Sequence, residues 1–324
     1  MKRMKRLAKP EGFGNVIVEE TDVPEIAEGE ILVRIHRSLI SRGSEIGGRY
    51  RKQEAVDPQR MGYSAAGVVE KVAGDIDDVA VGDRVALIAP HGEYGVGYAA
   101  WRDGSSYAKI PDEMSFEHAT FLPLVTSSVG WARSAFIGEG ETVAILGQGL
   151  VGALCLQTVR EQRPGKVIAV DAIDMRCELA ESLGADLAIN VSKEDPVEAV
   201  RAATDGQGAH VVMDCVGGPA GLKSFNQAQD MVRAGGVIQL VGLYHEAPLS
   251  IDASKLMAKL IVGGMRGVEP RPKLQETAIA MLMDGRVRVE EMITHRFRLE
   301  EAPKAFEMLH DRLSEALGVI LESD

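Results

Sequence analysis

The chain has 324 residues, of which 45% are hydrophobic and 26% are charged, a composition typical of a globular protein with two domains. Its net charge of −12 argues against nucleic acid or an anionic membrane as a partner, because phosphate groups are bound by clustered lysines and arginines. The basic start MKRMKR is followed by no apolar segment, and no stretch is long and apolar enough for a membrane span. We therefore expect a cytoplasmic protein that acts on a small molecule.

Residues 14–120 contain short apolar or alternating runs between turn residues, which predicts a mostly β domain. The runs are NVIVEETDV, EILVRIHRS, AAGVVEKVA, VGDRVALIA and SYAKIP. From about residue 125 the runs alternate with helical periods, which is typical of a parallel sheet with crossover helices. Its candidate strands are ETVAILG, KVIAVDA, DLAINV, HVVMDCV, GVIQLVGL and LIVGGM.

The last part of the chain is predicted to return to the β-rich domain. It reads as a helix, PKLQETAIAMLMDGR, a strand, ITHRFRL, a second helix, EEAPKAFEMLHDRL, and a closing strand, ALGVILE. We therefore predict an α/β protein in which a β-rich domain of residues 1–124 and 267–324 is interrupted by an α/β domain of residues 125–266.

A glycine-rich turn in the segment TVAILGQGLVG follows the first strand of the α/β domain and opens a helix. The glycines of its G-x-G-x-x-G spacing are Gly147, Gly149 and Gly152. The first permits a tight turn, the second lets a pyrophosphate approach the backbone, and the third lets helix and strand pack closely. Free N–H groups at the helix start also suit phosphate, so the segment predicts a dinucleotide site. The residues between and after the glycines complete the predicted loop: Gln148, Leu150 and Val151.

The second strand of this domain ends in Asp171, about twenty residues beyond the glycines, where a carboxylate accepts the ribose hydroxyls and repels a 2′-phosphate. We therefore expect NAD rather than NADP. Arg176 either lies against the adenosine or is a solvated helix residue. The carboxyl ends of the fourth and fifth strands are predicted to line the nicotinamide half. The candidates there are Cys215, Val216, Val241, Gly242 and Leu243.

The chain resembles the medium-chain dehydrogenase/reductase family over nearly its whole length. GYSAAGVVEKV is similar to the family's G-H-E-x-x-G-x-V segment, and VGDRV, GGMRG and THRFRLEEAPKAFEML are similar to other family segments. FLPLVTSSVGWARS resembles the family's entry into the cofactor domain and adds Thr126 to the expected cofactor contacts. The resemblance implies a GroES-like catalytic domain and a doubly wound Rossmann domain. The strand LIVGGM is expected at the sheet edge and is strongly apolar, which predicts a homo-oligomer, most simply a dimer.

The zinc ligands of the family's metal-dependent branch are replaced at each matching position. In the segment SRGSE, Arg42 stands at the cysteine position and Ser44 at the hydroxyl position. Tyr63 stands at the histidine position, and Leu122 at the acidic position of the polyol dehydrogenases. Because a catalytic zinc needs three protein ligands from Cys, His or carboxylate, we expect no zinc at this site. The cysteines of the family's structural zinc lobe are also missing from the corresponding segment.

Without a metal, the candidate groups for handling the substrate oxygen are Ser44, Tyr63, Arg42 and His91. Arg42 is either an oxyanion stabiliser or the partner of Glu45, and Tyr63 is either an acid or a core tyrosine bonded to backbone. His91 lies in a loop that the resemblance places at the substrate cleft, as a substrate contact or a proton shuttle. The adjoining segment EYGVGYAAW either forms a pocket wall or packs as an ordinary loop.

Three functions fit these observations. The first is a zinc-independent NAD(H)-dependent oxidoreductase that interconverts a secondary alcohol and a ketone on a sugar, cyclitol or ring-bearing molecule. The second is an enone or quinone reductase, which the missing zinc and the run EIGGRYR favour and Asp171 disfavours. The third is a nucleotide-binding protein that has lost catalysis.

Overall fold

The computed structural model describes residues 2–102, 104–243, 248–265 and 267–323. Arg266 of the GGMRG segment lies outside these ranges. The chain forms two compact units. The first comprises residues 1–126, 270–285 and 289–324, and the second comprises residues 127–269 and 286–288.

The strands, in chain order, are β1 (Arg3–Ala8), β2 (Ile17–Asp22), β3 (Glu30–Ile40), β4 (Ala65–Ala73), β5 (Arg84–Leu87), β6 (Tyr94–Tyr98), β7 (Tyr107–Lys109), β8 (Thr142–Leu146), β9 (Lys166–Asp171), β10 (Leu187–Asn190), β11 (Ala209–Asp214), β12 (Val232–Leu240), β13 (Leu260–Gly263), β14 (Ile293–Arg298) and β15 (Gly318–Glu322).

The α-helices are α1 (Phe116–Ala119), α2 (Leu122–Ser134), α3 (Leu150–Thr158), α4 (Asp174–Ser182), α5 (Pro196–Ala202), α6 (Pro219–Met231), α7 (Ala253–Leu256), α8 (Arg271–Met283) and α9 (Ala302–Asp311). A π-helix spans Arg42–Tyr50, and short 3₁₀ turns span Pro58–Arg60, Val159–Gln162, Glu290–Met292 and Leu299–Glu301.

The sheet of the first unit has the strand order β14-β15-β3-β4-β5-β7, with β6 also paired to β3. Strand β3 is central and almost entirely apolar on one face, where Ile31, Val33 and Ile35 are fully buried. The chain leaves β3 directly into the π-helix. Ile46 and Tyr50 of that helix pack in a cluster with α9. This packing fixes the position of Arg49, the polar side chain between Ile46 and Tyr50 on the π-helix.

The second unit is built on a parallel sheet with the strand order β10-β9-β8-β11-β12-β13. All its neighbouring strands in the described ranges pair in parallel. Parallel strands present their carboxyl ends at one edge of the sheet, which is where ligands of doubly wound folds bind. The predicted α/β class is thus confirmed, and the glycine loop follows β8 in the middle of the sheet.

Two strands were not predicted from the sequence. Strand β1 pairs antiparallel with β2, and β6, within the segment EYGVGYAAW, pairs antiparallel with β3. Residues Tyr94–Tyr98 of that segment therefore form a sheet strand and not a packed loop, while their role as a pocket wall stays a prediction. In the described ranges no helix is long and apolar enough to cross a membrane.

Candidate active site

A buried carboxyl group lies at the start of the π-helix. Glu45 is fully buried, and its Oε1 accepts a hydrogen bond from the backbone N–H of Ser41 at 2.9 Å. Its Oε2 lies 2.8 Å from Nε2 of His91, which is also fully buried. Nδ1 of His91 lies 2.8 Å from the hydroxyl of Ser38 on β3. Since an ionised carboxylate only accepts, Nε2 is assigned the proton, and Nδ1 of the neutral ring accepts from Ser38.

This geometry gives His91 a different role from the one expected. Both ring nitrogens are occupied by protein groups, and the backbone of His91 also donates to the carbonyl of Met61 at 2.7 Å. A β-carbon on Gly62 would lie 2.6 Å from the His91 nitrogen, so the chain passes closely over the ring. The interpretation of His91 as a direct substrate contact does not fit such an enclosed position. The residue instead holds Glu45 in place.

Arg49 connects the buried carboxyl group to Tyr63. Its side chain is 14% exposed, and its Nη1 lies 3.4 Å from Oε2 of Glu45, one helical turn earlier. The guanidinium carbon lies 5.9 Å from the centre of the Tyr63 ring, within the range of a cation–π contact. Arg49 is not among the residues predicted from the sequence, although the spacing of four residues between Glu45 and Arg49 is the usual signal for a helical ion pair.

The hydroxyl groups of Ser44 and Tyr63, two residues predicted for the site, lie close together beside this ion pair. Burial raises the pKa of the Tyr63 hydroxyl above its ordinary value, and Glu45 acts in the same direction. The neighbouring hydroxyls of Ser41 and Ser44 and the charge of Arg49 lower it. Ser44 Oγ is itself buried and makes no hydrogen bond of good geometry within the described chain. The structure thus brings Ser44 and Tyr63 together, as expected, and keeps Tyr63 protonated near neutral pH.

The remaining positions that match metal ligands hold no metal donor. Arg42 directs its Nε to the carbonyl of Leu309 on α9 at 3.3 Å. Leu122 is an aliphatic side chain with 2% exposure, and Ser64 donates to the carbonyl of Thr120. Within the described residues no group of three His, Cys, Asp or Glu side chains is arranged to hold a metal ion. Arg42, Tyr63 and Leu122 are not among the side chains that usually bind zinc, and the absence of zinc stays a prediction.

The glycine loop of the second unit has the stereochemistry of a pyrophosphate cradle. Gly147 has φ of +83°, in the left-handed region that glycine favours. A β-carbon on Gly152 would lie 1.7 Å from the Gly147 carbonyl oxygen, whereas one on Gly149 would have nothing within 4 Å. Gly149 caps α3, so the first N–H groups of the helix, at Leu150 and Val151, have no acceptor within the helix. The loop fits a dinucleotide phosphate.

Asp171 ends β9 and is tied to the glycine loop. Its Oδ2 accepts from the backbone N–H of Gln148 at 2.6 Å, and its Oδ1 accepts from Ala172 and Ile173 at 2.8 and 3.0 Å. Arg176 Nη1 lies 3.8 Å from Oδ2. Both Asp171 and Arg176 are more than nine-tenths buried, so the carboxylate shapes the loop in addition to any contact with a ribose. Gln148 uses its N–H here and its side-chain amide on the Ile145 carbonyl.

The carboxyl ends of β11 and β12 come together beside the loop. A β-carbon on Gly242 would lie 2.4 Å from the carbonyl oxygen of Val216, and one on Gly147 would lie 2.8 Å from its side chain. The hydrogen-bonding partner Cys155, followed by burial, raises the pKa of the Cys215 thiol, so that this thiol remains protonated and unreactive. Val241 is nearly buried, while Leu243 is 43% exposed.

Thr126 differs from the other expected cofactor contacts. Its side chain is 1% exposed, and its hydroxyl donates to the Leu122 carbonyl one turn earlier in α2. A helix-internal bond of this kind satisfies the hydroxyl without a ligand. The hydroxyl proton of Thr126 is therefore used within the helix, and a contact of Thr126 with a cofactor stays a prediction.

Comparisons with known proteins agree with this architecture. Residues 151–282 match the family model of the zinc-binding dehydrogenases. The chain is thus similar to zinc-binding dehydrogenases over most of the second unit and part of the first. It is 28% identical to human sorbitol dehydrogenase, an alignment that covers 97% of this chain and 94% of that protein. It is 26% identical to L-threonine 3-dehydrogenase of Bacillus subtilis (strain 168), over 95% of each chain.

Among solved structures, an alcohol dehydrogenase from Thermus sp. ATN1 superposes with a TM-score of 0.84 at 26% identity, covering 98% of this chain and 99% of that one. The expected pairing of a GroES-like fold with a Rossmann fold is confirmed by this likeness. The relatives are named dehydrogenases, in agreement with an oxidoreductase that acts on CH–OH donors.

Proposed function

We propose that the protein is a zinc-independent, NAD(H)-dependent oxidoreductase that interconverts a secondary alcohol and a ketone on a sugar, cyclitol or ring-bearing small molecule. The observation that carries this proposal is the pair of hydroxyl groups, Ser44 and Tyr63, at a site whose ligand positions hold Arg42, Tyr63 and Leu122. The named relatives act on sorbitol and threonine, both of which carry secondary hydroxyl groups, and this supports the substrate class.

The residues of the first unit would handle the proton and the oxygen charge. When bound, the nicotinamide cofactor supplies or accepts the hydride. In the direction of ketone reduction, negative charge develops on the carbonyl oxygen, which needs positioned hydrogen-bond donors. Tyr63 is protonated near neutral pH because burial raises its pKa, and it donates the proton that completes the alcohol. Ser44 supplies a second hydroxyl donor.

The residues of the second unit support NAD(H) as the cofactor. The glycine loop fits a pyrophosphate, and the Asp171 carboxylate disfavours a 2′-phosphate by charge repulsion. Arg176 lies close to that carboxylate and reduces its repulsion of a 2′-phosphate. The preference for NADH over NADPH therefore depends on whether the adenosine ribose lies nearer to Asp171 or to Arg176. Binding of NADH and NADPH measured by fluorescence titration tests this choice directly.

We also propose a homodimer, formed through the sheet of the second unit. Strand β13 lies at the edge of this sheet, and Leu260 on it is 48% exposed. Nearby in sequence, Ile251 and Met257 are 63% and 76% exposed, an unusual degree for large apolar side chains. An exposed apolar sheet edge is suited to pairing with a second copy. The cytoplasmic location expected from the sequence stays a prediction.

An absorbance screen of reduced nicotinamide tests the function. Purified protein is assayed with NADH and NADPH against ketones, enones and quinones, and with the oxidised cofactors against secondary alcohols. The proposal expects turnover of ketones and secondary alcohols with NAD(H). The second candidate, an enone or quinone reductase, is favoured by the lack of metal donors and would give turnover of enones or quinones alone.

A further inference from the structure

Two buried polar atoms on the π-helix make no hydrogen bond of good geometry within the described chain. They are Oγ of Ser44 and Nη1 of Arg49. Buried polar groups in proteins are nearly always hydrogen-bonded, so a native orphan of this kind requires an explanation. Both atoms influence the same group, the hydroxyl of Tyr63. Two unsatisfied donors therefore lie near the Tyr63 hydroxyl.

The Arg49 side chain is held by an ion pair with Glu45 and lies over the Tyr63 ring. Glu45 contacts Nη1 at 3.4 Å, a distance at which the charges attract. Glu45 is in turn fixed by the Ser41 N–H and by His91, whose other nitrogen is bound to Ser38. A charged guanidinium with an immobile counter-ion and an unsatisfied N–H is preorganised for a second anionic or carbonyl acceptor.

We propose that Arg49, held by Glu45 and His91, supplies the positive charge that stabilises the substrate oxygen, the electrostatic role that a metal would otherwise have at this site. This inference rests on the proposed function and replaces Arg42, the cation selected from the sequence. In ketone reduction a hydride from NADH adds to the carbonyl carbon and the π electron pair moves to the oxygen. Arg49 and Ser44 donate hydrogen bonds to that oxygen, and the Tyr63 hydroxyl transfers its proton to it. Glu45 and His91 act as positioning residues.

The test replaces Arg49 by methionine, which keeps the length of the side chain and removes its charge. We expect kcat for ketone reduction to fall about 100-fold or more, as for loss of one oxyanion donor, while NADH affinity stays within about twofold. Arg49→Lys, which keeps a charge without the planar fork, is expected to recover part of that loss. Arg51→Met removes an exposed arginine of the same segment and serves as the matched control, with wild-type kcat expected.

The pH profile separates a direct role from a structural one. Ketone reduction requires protonated Tyr63, so activity falls as pH rises through the pKa of that hydroxyl. Arg49 lowers this pKa, whereas Glu45 raises it, and these two are the charged side chains that act on Tyr63 within the described chain. Removing Arg49 is expected to move the alkaline limb to higher pH. If Arg49 had only a structural role, its removal would leave the alkaline limb of the pH profile unchanged.

The outcomes are distinguishable. If the wild-type protein turns over no ketone or secondary alcohol, the proposed function fails. If the wild-type protein is active and Arg49→Met retains its kcat and its pH limb, this inference alone is overturned. Where Arg49→Met does not fold, judged by thermal melting, Arg49→Gln keeps a donor toward Glu45 and is measured instead, with the same two expected results.

Discussion

Nε2 of His91 lies 2.8 Å from Oε2 of Glu45, and both side chains are fully buried. A second His–Glu pair, His118 with Glu290, has nearly the same separation of 3.0 Å but lies on the surface, with side-chain exposures of 36% and 65%. Two His–Glu pairs with similar distances contribute differently to the stability of the protein when one is buried and the other is exposed. Removing one partner of a buried pair leaves a polar group without water, whereas an exposed partner is simply solvated.

We predict that His91→Ala lowers the free energy of unfolding by about 3–5 kcal/mol, because it strands Glu45 in the interior. The surface substitution His118→Ala is the matched control and should cost about 0–1 kcal/mol. Urea denaturation of the two variants gives both values. If His91→Ala were as stable as His118→Ala, the buried hydrogen bonds that join Ser38, His91 and Glu45 would contribute nothing to the stability of the fold.

A second prediction concerns two glycines of the cofactor loop. In Gly152→Ala the new β-carbon meets the Gly147 carbonyl at 1.7 Å, so we expect the second unit to be strongly destabilised or not to fold. In Gly149→Ala nothing lies within 4 Å, so we expect a folded protein whose NADH affinity alone is reduced. Thermal melting and NADH titration separate these effects. A folded Gly152→Ala variant with normal affinity would be inconsistent with the loop described above.

A third prediction concerns cofactor preference. Asp171→Ser combined with Ala172→Arg removes the carboxylate and adds a cation, so NADPH should gain affinity relative to NADH. Because Asp171 also accepts three backbone N–H groups, Asp171→Asn, which retains an acceptor oxygen, is the control for loop integrity. Titration with both cofactors measures the change. Tighter binding of NADPH than NADH by the unmodified protein would contradict the assignment of Asp171.

A fourth prediction concerns the hydroxyl pair. Tyr63→Phe and Ser44→Ala should each lower kcat roughly 100-fold, since a positioned acid or donor typically contributes about that factor. Neither residue belongs to the glycine loop, so NADH affinity should remain close to wild type. Steady-state kinetics and titration provide the two readouts. Retention of most of the activity by both variants would mean that the proton leaves by another route.

A fifth prediction concerns assembly. Leu260→Lys places a charge on the exposed edge strand β13, so we expect dissociation of the proposed dimer to monomers. Val81→Lys, which changes an apolar residue with 66% exposure in the first unit, is the control and should leave the dimer intact. Light scattering at micromolar concentration reports the mass. A wild-type monomer under these conditions would refute the proposed dimer.

The apolar periodicity of the sequence was sufficient to predict most strands and the late helices α8 and α9. Strand β1 was missed because four of the residues in RMKRLA are basic or short, and its buried residues, Met4, Leu7 and Ala8, do not alternate. Strand β6 was missed because Gly95 and Gly97 suggest a loop. In the structure, a β-carbon at either position would meet the neighbouring side chains of Ala89 or Ile31 at 2.7 and 2.8 Å, so close packing requires glycine there.

The candidate site was predictable only in part. Ser44 and Tyr63 follow from their positions in a family segment, and the glycine loop follows from the order of strand, turn and helix. The role of His91 depends on its contact with Glu45, which is far away in sequence and which no local pattern indicates. The ion pair of Arg49 with Glu45 has a local signal, but the approach of Arg49 to the Tyr63 ring has none. The use of Asp171 as an acceptor for the loop N–H of Gln148 is likewise a tertiary feature.

The central claim is catalysis without a metal, and turnover of chelator-treated protein tests it most directly. The protein is stripped with a strong chelator, its zinc content is measured by elemental analysis, and ketone reduction with NADH is followed before and after. We predict less than stoichiometric zinc at the outset and unchanged kcat after treatment. Loss of activity on chelation, restored by about one zinc per chain, would contradict the account.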